Sequence, residues 1–239
     1  MRQRAAIPRH DGVEDLDDVD HGARPVAERV EDWSYLKFPY YKAMGWPEGV
    51  YRVAPLGRLN VADRISTPLA DAEFRQFKAL SQGPVEPTLY YHYARMIEVI
   101  YCIERVRELL DDPDILSTDI LNTRKDYMGH GVGVIEAPRG TLTHHYWTDE
   151  KGLLTKVNLI VGTTNNYAPI QMSTKKAAQS LIKGGKVNEG LLNMVEMAFR
   201  AYDPCFGCAT HSMPGRMPLE VRLHNEDGEV IDVIKQFVD

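Results

Sequence analysis

The sequence predicts an α+β fold, mainly helical, with a β-hairpin set among its helices. Three observations carry that prediction. Apolar residues recur at spacings of three and four between residues 88 and 111, the mark of one long helix. Two runs rich in β-prone residues, "GVGVIEAPRGTLTHHYW" and "LLTKVNLIVGTT", flank the short polar turn "TDEKG". A second helical stretch, 188–202, is closed by Asp203-Pro204.

Composition bounds the function classes. The 239 residues are 44% hydrophobic and 26% charged, ordinary for one globular core with appendages. A net charge of −6 argues against nucleic acid or an anionic membrane as the main partner. No apolar run approaches the roughly 18–20 residues a membrane span needs. The start, "MRQRAAIPRHDG", lacks the apolar stretch of a signal peptide. Three cysteines, two of them in one motif, do not form a secreted disulfide framework. A cytoplasmic protein with no membrane span is expected.

In chain order, residues 1–30 are polar and acidic and read as a solvated arm. The segment that follows, through about residue 60, is rich in aromatics, Pro and Gly without a steady period, and an irregular packed segment is expected. Residues 68–80 read as a helix. In the helix 88–111, Leu89, Tyr93, Met96, Ile100, Ile103, Val106 and Leu110 form one apolar face. Cys102 lies inside it and is expected to be a packed thiol. Asp111-Asp112-Pro113 ends the helix.

Centring the hairpin turn between Glu150 and Lys151 places Arg139 opposite Gly162 and beside Thr163. Alone, Arg139 would read as a strand-end surface residue and Thr163 as a satisfied strand hydroxyl. Their apposition brings "EAPRG" to "VGTTNN". His144 and His145 alternate across a strand, cannot both face one metal, and are read as structural. Helices are expected at 173–183 and 188–202, the second with Asn188 as N-cap and Leu192, Val195, Phe199 and Tyr202 as its apolar face. The tail alternates around Asp227-Gly228 as a last small hairpin.

Between that helix and the tail stands "DPCFGCATHS", Asp203 to Ser212. Cysteine thiolates are soft ligands, and a Cys-x-x-Cys spacing lets two sulfurs face one metal. Two ligands are only half of a four-ligand site, and no second such pair is present. On spacing alone, a metal site, a redox pair and structural thiols all remain open.

The neighbouring residues narrow the choice. "AYDPCFGCATH" closely resembles the C-terminal signature of nickel–iron hydrogenase large subunits, Asp-Pro-Cys-x-x-Cys-x-x-His. "EAPRGTLTHHYWTDEKGLLTKVNLIVGTTNN", "GLLNMVEMAFRAYDP" and "DWSYLKFPYYKAMGWPEGVYRVAPLGRLNVADR" are similar to the same family. The similarity is to its cytoplasmic, methyl-viologen-reducing branch, linked to heterodisulfide reductase. It implies the C-terminal half of the large-subunit fold over residues 31–211, with the hairpin beside the metal site. It also implies hydrogen oxidation or proton reduction at a Ni–Fe(CN)2CO centre.

Residue by residue, the resemblance makes Cys205 a terminal nickel ligand and Cys208 a bridge from nickel to iron. Arg139 and Asp203 become the polar canopy over the metal. Thr163 becomes a donor to a cyanide, with the backbone after Pro138 and at Thr164 assisting. His211 and the carbonyl of Leu159 become ligands of a magnesium or similar ion. Gly207 stands where that branch often carries serine. The family's other motif, Arg-x-Cys-Gly-x-Cys, is missing from this sequence, so the N-terminal half of a large subunit is the first implied partner. A maturation protease, nickel-insertion proteins, heterodisulfide reductase and an iron–sulfur small subunit are the others. Residues 212–239 match an extension removed on maturation. A truncated, non-catalytic remnant or an assembly protein of the same fold is the competing expectation.

Overall fold

The computed structural model describes residues 13–15, 26–32, 34–121, 129–210, 219–225 and 227–236. Its architecture is α+β. The antiparallel strands β1 (Val13–Asp15), β2 (Val26–Glu31) and β3 (Ser34–Tyr41) form a first sheet. Helices α1 (Ala54–Val61), α2 (Pro68–Lys78) and α3 (Tyr90–Leu110) follow, then a second sheet of β4 (His130–Ala137), β5 (Gly140–Thr148) and β6 (Leu154–Ile160). A 3-10 turn, Gly162–Asn166, leads into α4 (Tyr167–Leu181), α5 (Glu189–Arg200) and the short α6 (Phe206–Thr210). The hairpin β7 (Leu219–His224) and β8 (Val230–Gln236) comes last, where the sequence places it. Among the described residues, no helix is long and apolar enough to cross a membrane.

Two apolar clusters hold the elements. Leu56, Leu59, Phe74, Phe77, Tyr91, Ile97 and Tyr202 pack α1, α2 and α3 against the end of α5. Phe38, Tyr167, Ala168 and Ala209 join β3 to α4 and α6, with the Phe206 ring stacked on Tyr167 at 6.3 Å. Fully burying such side chains contributes roughly 1.5–3 kcal/mol each.

Several local readings are corrected. The expected irregular segment contains β3, whose partner β2 occupies the end of the stretch read as a polar arm. Phe38, Pro39 and Tyr40 are all buried, so no polar–apolar alternation marks this strand. An outer strand tolerates proline because one of its edges needs no N–H donor. The first arm of the expected hairpin is itself two strands, folded at Pro138-Arg139 so that Ala137 pairs with Gly140. Gly140 takes a φ of +132°, which a side chain disfavours, and an added Cβ would lie 2.2 Å from Val53 Cγ2.

The β5–β6 register pairs Thr143 with Ile160, two residues away from the centring expected. Asp149 sets this offset by accepting N–H bonds from Lys151 and Leu153. A two-residue slip leaves every side chain on its expected face. Helix α4 starts at Tyr167, not 173, because Pro169 falls in its first turn, where no N–H is needed. Helix α5 is as expected, with Asn188 Oδ1 accepting the Leu191 N–H at 2.9 Å.

Helix α3 turns only the Tyr93 and Ile100 edge of the expected face toward the core. Tyr91, Ala94 and Ile97 are buried, whereas Leu89, Met96, Ile103, Val106 and Leu110 are exposed. Cys102 is exposed as well, not packed.

Candidate metal centre

Three separated segments meet at one corner. They are the Pro138-Arg139 turn, the 3-10 turn Gly162–Asn166, and the link between α5 and α6. The first two approach so closely that a Cβ on Gly162 would lie 3.0 Å from the Arg139 carbonyl carbon. A side chain there would press on the Arg139–Gly140 backbone, which would have to give by a few tenths of an ångström.

Polar side chains lock this approach. Asn165 Nδ2 donates to the Thr141 carbonyl at 2.8 Å, and its Oδ1 accepts the Tyr51 hydroxyl at 2.6 Å. Burial, and then the Glu28 carboxylate, push the Tyr51 pKa well above the ordinary tyrosine value, so it remains a donor. Asn166 Oδ1 accepts the Val53 N–H at 3.1 Å.

On the other side, Arg58 holds the Pro138 turn. Its Nε and Nη2 grip Glu98 of α3 at 2.6 and 2.7 Å. Its Nη1 and Nη2 donate to the carbonyls of Ala137 and Pro138 at 2.8 and 2.9 Å. Burial works against the Arg58 charge, but Glu98 and then Glu136 outweigh it and hold its pKa above the usual value.

The third segment is placed by the end of α5. Asp203 donates its N–H to the Arg200 carbonyl and takes a φ of +53°, a left-handed stop that Asp accepts more readily than most residues. Pro204 prevents continuation. Arg139 Nε donates to the Asp203 carbonyl at 2.7 Å and pairs with its Oδ2 at 3.0 Å. Thr163 Oγ1, buried, accepts the Cys205 N–H at 3.2 Å. The Thr163 hydroxyl proton is thereby left to donate elsewhere.

Cys205 and Cys208 are joined as a disulfide with Cα atoms 5.4 Å apart, and Cys205 Sγ accepts the Cys208 N–H at 3.4 Å. The sequence reading expected free thiolates. Reduction of this bond would release two soft sulfur ligands at one point beside a fixed guanidinium. Among the described residues, no group of three or more His, Cys, Asp or Glu stands ready for a metal. Two reduced sulfurs suit a soft metal, whose remaining ligands would have to come from other residues. The buried Thr164 Oγ1, with no hydrogen-bond partner among the described residues, fits a polar group arriving from outside the chain.

The expected residues fare unevenly. Arg139, Asp203, Thr163 and Cys205 are brought together, with Pro138, Thr164 and Cys208 adjacent. Leu159 lies in β6 opposite His144. His211 lies outside the described residues. His145 is buried against Trp147 with its Nε2 at 2.5 Å from that of His130, while His144 accepts from or donates to the Tyr146 hydroxyl. Sequence reasoning missed Arg58, Asn165 and Asn166, which position the corner. The Asn doublet directly after Thr163-Thr164 was the available signal for two of them.

Comparison with known proteins supplies the context. The nickel-dependent hydrogenase family model matches residues 14–211. An F420-non-reducing hydrogenase iron-sulfur subunit of Archaeoglobus profundus is 47% identical over 220 residues, 89% of this chain and 45% of the relative. The NAD-reducing hydrogenase HoxS subunit beta of Cupriavidus necator is 44% identical over 220 residues, 90% of this chain and 44% of the relative. A crystal structure of NAD+-reducing NiFe-hydrogenase in the H2-reduced state superposes with a TM-score of 0.73 at 47% identity, covering 78% of this chain and 41% of that one. The Ni-Fe-Se hydrogenase from D. vulgaris Hildenborough shares the fold, at a TM-score of 0.51 and 22% identity over 75% of this chain and 38% of that one. The chain spans somewhat under half the length of the curated relatives it matches.

Proposed function

This chain belongs to the nickel-dependent hydrogenase family, and from that premise we propose that it is the C-terminal portion of a large subunit. In this reading it contributes Cys205 and Cys208 to a nickel–iron centre and works only with the complementary portion of the subunit. The observation that carries the reading is the Arg139–Asp203–Thr163–Cys205 cluster. It joins residues 64 and 42 positions apart in the chain through three hydrogen bonds or ion pairs.

When bound, a nickel–iron centre supplies the site for heterolytic hydrogen splitting or proton reduction. The protein's part is to hold charge and donors in place. Asp203 orients the Arg139 guanidinium, whose planar fork keeps donors free for a polar ligand of the centre. Fixed donors stabilise separating charge better than water, because they need not reorganise during the reaction, and the half-exposed Arg139–Asp203 pair would be shielded from water by the complementary portion. The Thr163 hydroxyl, fixed by the Cys205 N–H, offers its proton from the facing wall. The backbone N–H of Arg139, after Pro138, and the buried Thr164 side add to that wall.

The proposal extends to the finer expectations. His211 and the Leu159 carbonyl would bind a magnesium or similar ion, and residues 212–239 would be removed once metal is loaded. Domain limits at 30/31 and 211/212 belong to the same reading. Electrons would pass to an iron–sulfur small subunit in the cytoplasm and on to heterodisulfide reductase, with a maturation protease and nickel-insertion proteins preparing the site.

Hydrogen uptake, assayed for the nickel-supplied chain alone and for the chain purified with its complementary portion, tests the assignment. Turnover is expected only in the second sample, whose intact mass should lack Ser212–Asp239. Turnover by the chain alone, or an active complex that keeps the tail, would contradict it.

A further inference from the structure

We propose that the outer face of α3 is the docking seam for the complementary portion of the large subunit, received as a helix. This rests on the family reading above. Leu89, Met96, Ile103 and Leu110 stand seven residues apart, with Val99 and Val106 each three residues beyond one of them. That is a seven-residue apolar repeat over the whole helix, the pattern of a helix–helix seam. These six side chains are 42–67% exposed. The opposite side of the same helix, Tyr91, Ala94 and Ile97, is already packed on α1 and α2.

A helix apolar on both sides is a buried helix in the complete fold. The seam runs about 30 Å along the axis at 1.5 Å per residue, far more than scattered surface hydrophobics need. The occupant follows from length and periodicity. Relatives aligned over 89–90% of this chain are more than twice as long, so over half of the family fold lies outside the matched part. A seven-residue repeat selects a helix from that remainder, not a strand or an extended peptide.

The placement also has a consequence for the site. Glu98 of α3 grips Arg58, which holds the Pro138 turn beside Arg139. A helix seated on the outer face of α3 therefore braces the corner that carries the sulfurs. His92 is the polar member of the seam, at a position where one polar residue sets register.

The test co-expresses the tagged full chain with the part of the Archaeoglobus profundus relative that it does not match. Cys102, exposed and next to Ile103, reports occupancy through its alkylation rate, read peptide by peptide by mass spectrometry. The two polypeptides should co-elute, and Cys102 should react at least about tenfold more slowly in the complex than in the chain alone. Ile103→Asp combined with Val106→Asp should abolish co-elution and restore the rate, with the circular dichroism of the chain alone unchanged.

Failure to co-elute, co-elution that survives the double substitution, or a Cys102 equally reactive in the complex overturns the inference. A dimer of the chain alone that the same substitutions dissolve also overturns it, in favour of a second copy. Nickel content of the same complex separates the two readings. Docking without nickel keeps the seam and rejects the metal assignment, whereas nickel with an unprotected Cys102 does the reverse.

Discussion

Helix α3 carries two apolar faces, and the described residues bury only one of them. The inner face sets Tyr91 and Ile97 among Phe74, Phe77 and Tyr202, and sends Glu98 to Arg58. The outer face repeats Leu, Met, Ile and Leu at seven-residue intervals and is largely exposed. Both faces look alike by hydropathy. Apolar periodicity therefore records every neighbour a helix has in its complete fold, and only packing shows which of them this chain provides.

Breaking the inner face should have the largest effect. Tyr91 is fully buried, donates to the Val53 carbonyl at 2.9 Å and lies 4.5 Å from the Tyr202 ring. Tyr91→Ala should cost about 3–5 kcal/mol through cavity formation and an orphaned carbonyl, measured by urea denaturation. A loss below about 1 kcal/mol would mean that this face is not the core.

The corner braced by that face should behave as chemistry more than as packing. Arg139→Lys keeps the charge but loses the planar fork. In the assembled complex turnover should fall roughly 10²-fold while metal content is retained. Near-normal turnover would place Arg139 outside the site.

On the flank between the two faces, Glu104 reaches across to α2 and accepts the N–H groups of Leu69 and Ala70, each at 3.0 Å. Burial opposes its charge, but the hydrogen bonds prevail and hold its pKa below the usual carboxylate value. A carboxyl whose folded pKa is lowered stabilises the fold above its unfolded pKa and loses that contribution as pH falls through the folded pKa. Glu104→Gln should therefore lower the Tm at neutral pH, with the difference from the parent shrinking on acidification below the carboxylate range. A pH-independent difference would count against the charge.

The outer face should give the smallest effect. Ile103→Asp in the chain alone should change stability by no more than about 0.5 kcal/mol, since the side chain is largely exposed. A larger loss would show that the seam is already occupied within the chain.

The same contrast explains how far the sequence could be read. Asn188 as N-cap, the face of α5 and the meeting of Arg139 with Gly162 were legible because each depends on local spacing. The register slip of two residues was not, since Asp149 sets it through side-chain bonds inside the turn. Strand β3, and with it β2, was hidden by its lack of polar–apolar alternation, and the fold at Pro138 by the continuous β-prone run around it. The orientation of α3 and the exposure of Cys102 could not be inferred from a helix apolar on both sides. Of the candidate site, the thiol pair and Arg139 stood out by motif. Arg58 did not, because its role depends on four partners, Glu98, Glu136 and the carbonyls of Ala137 and Pro138, 40, 78, 79 and 80 residues away.

As proposed, Cys205 and Cys208 would be sulfur ligands of a nickel centre completed by the rest of the subunit. Nickel content of the purified, complementary-paired complex tests it most directly, with Cys205→Ala and Cys208→Ala measured beside the parent. Nickel is expected in the parent complex and its loss in either variant, while the partner portion still co-purifies. Undiminished nickel in both variants would contradict the ligand assignment.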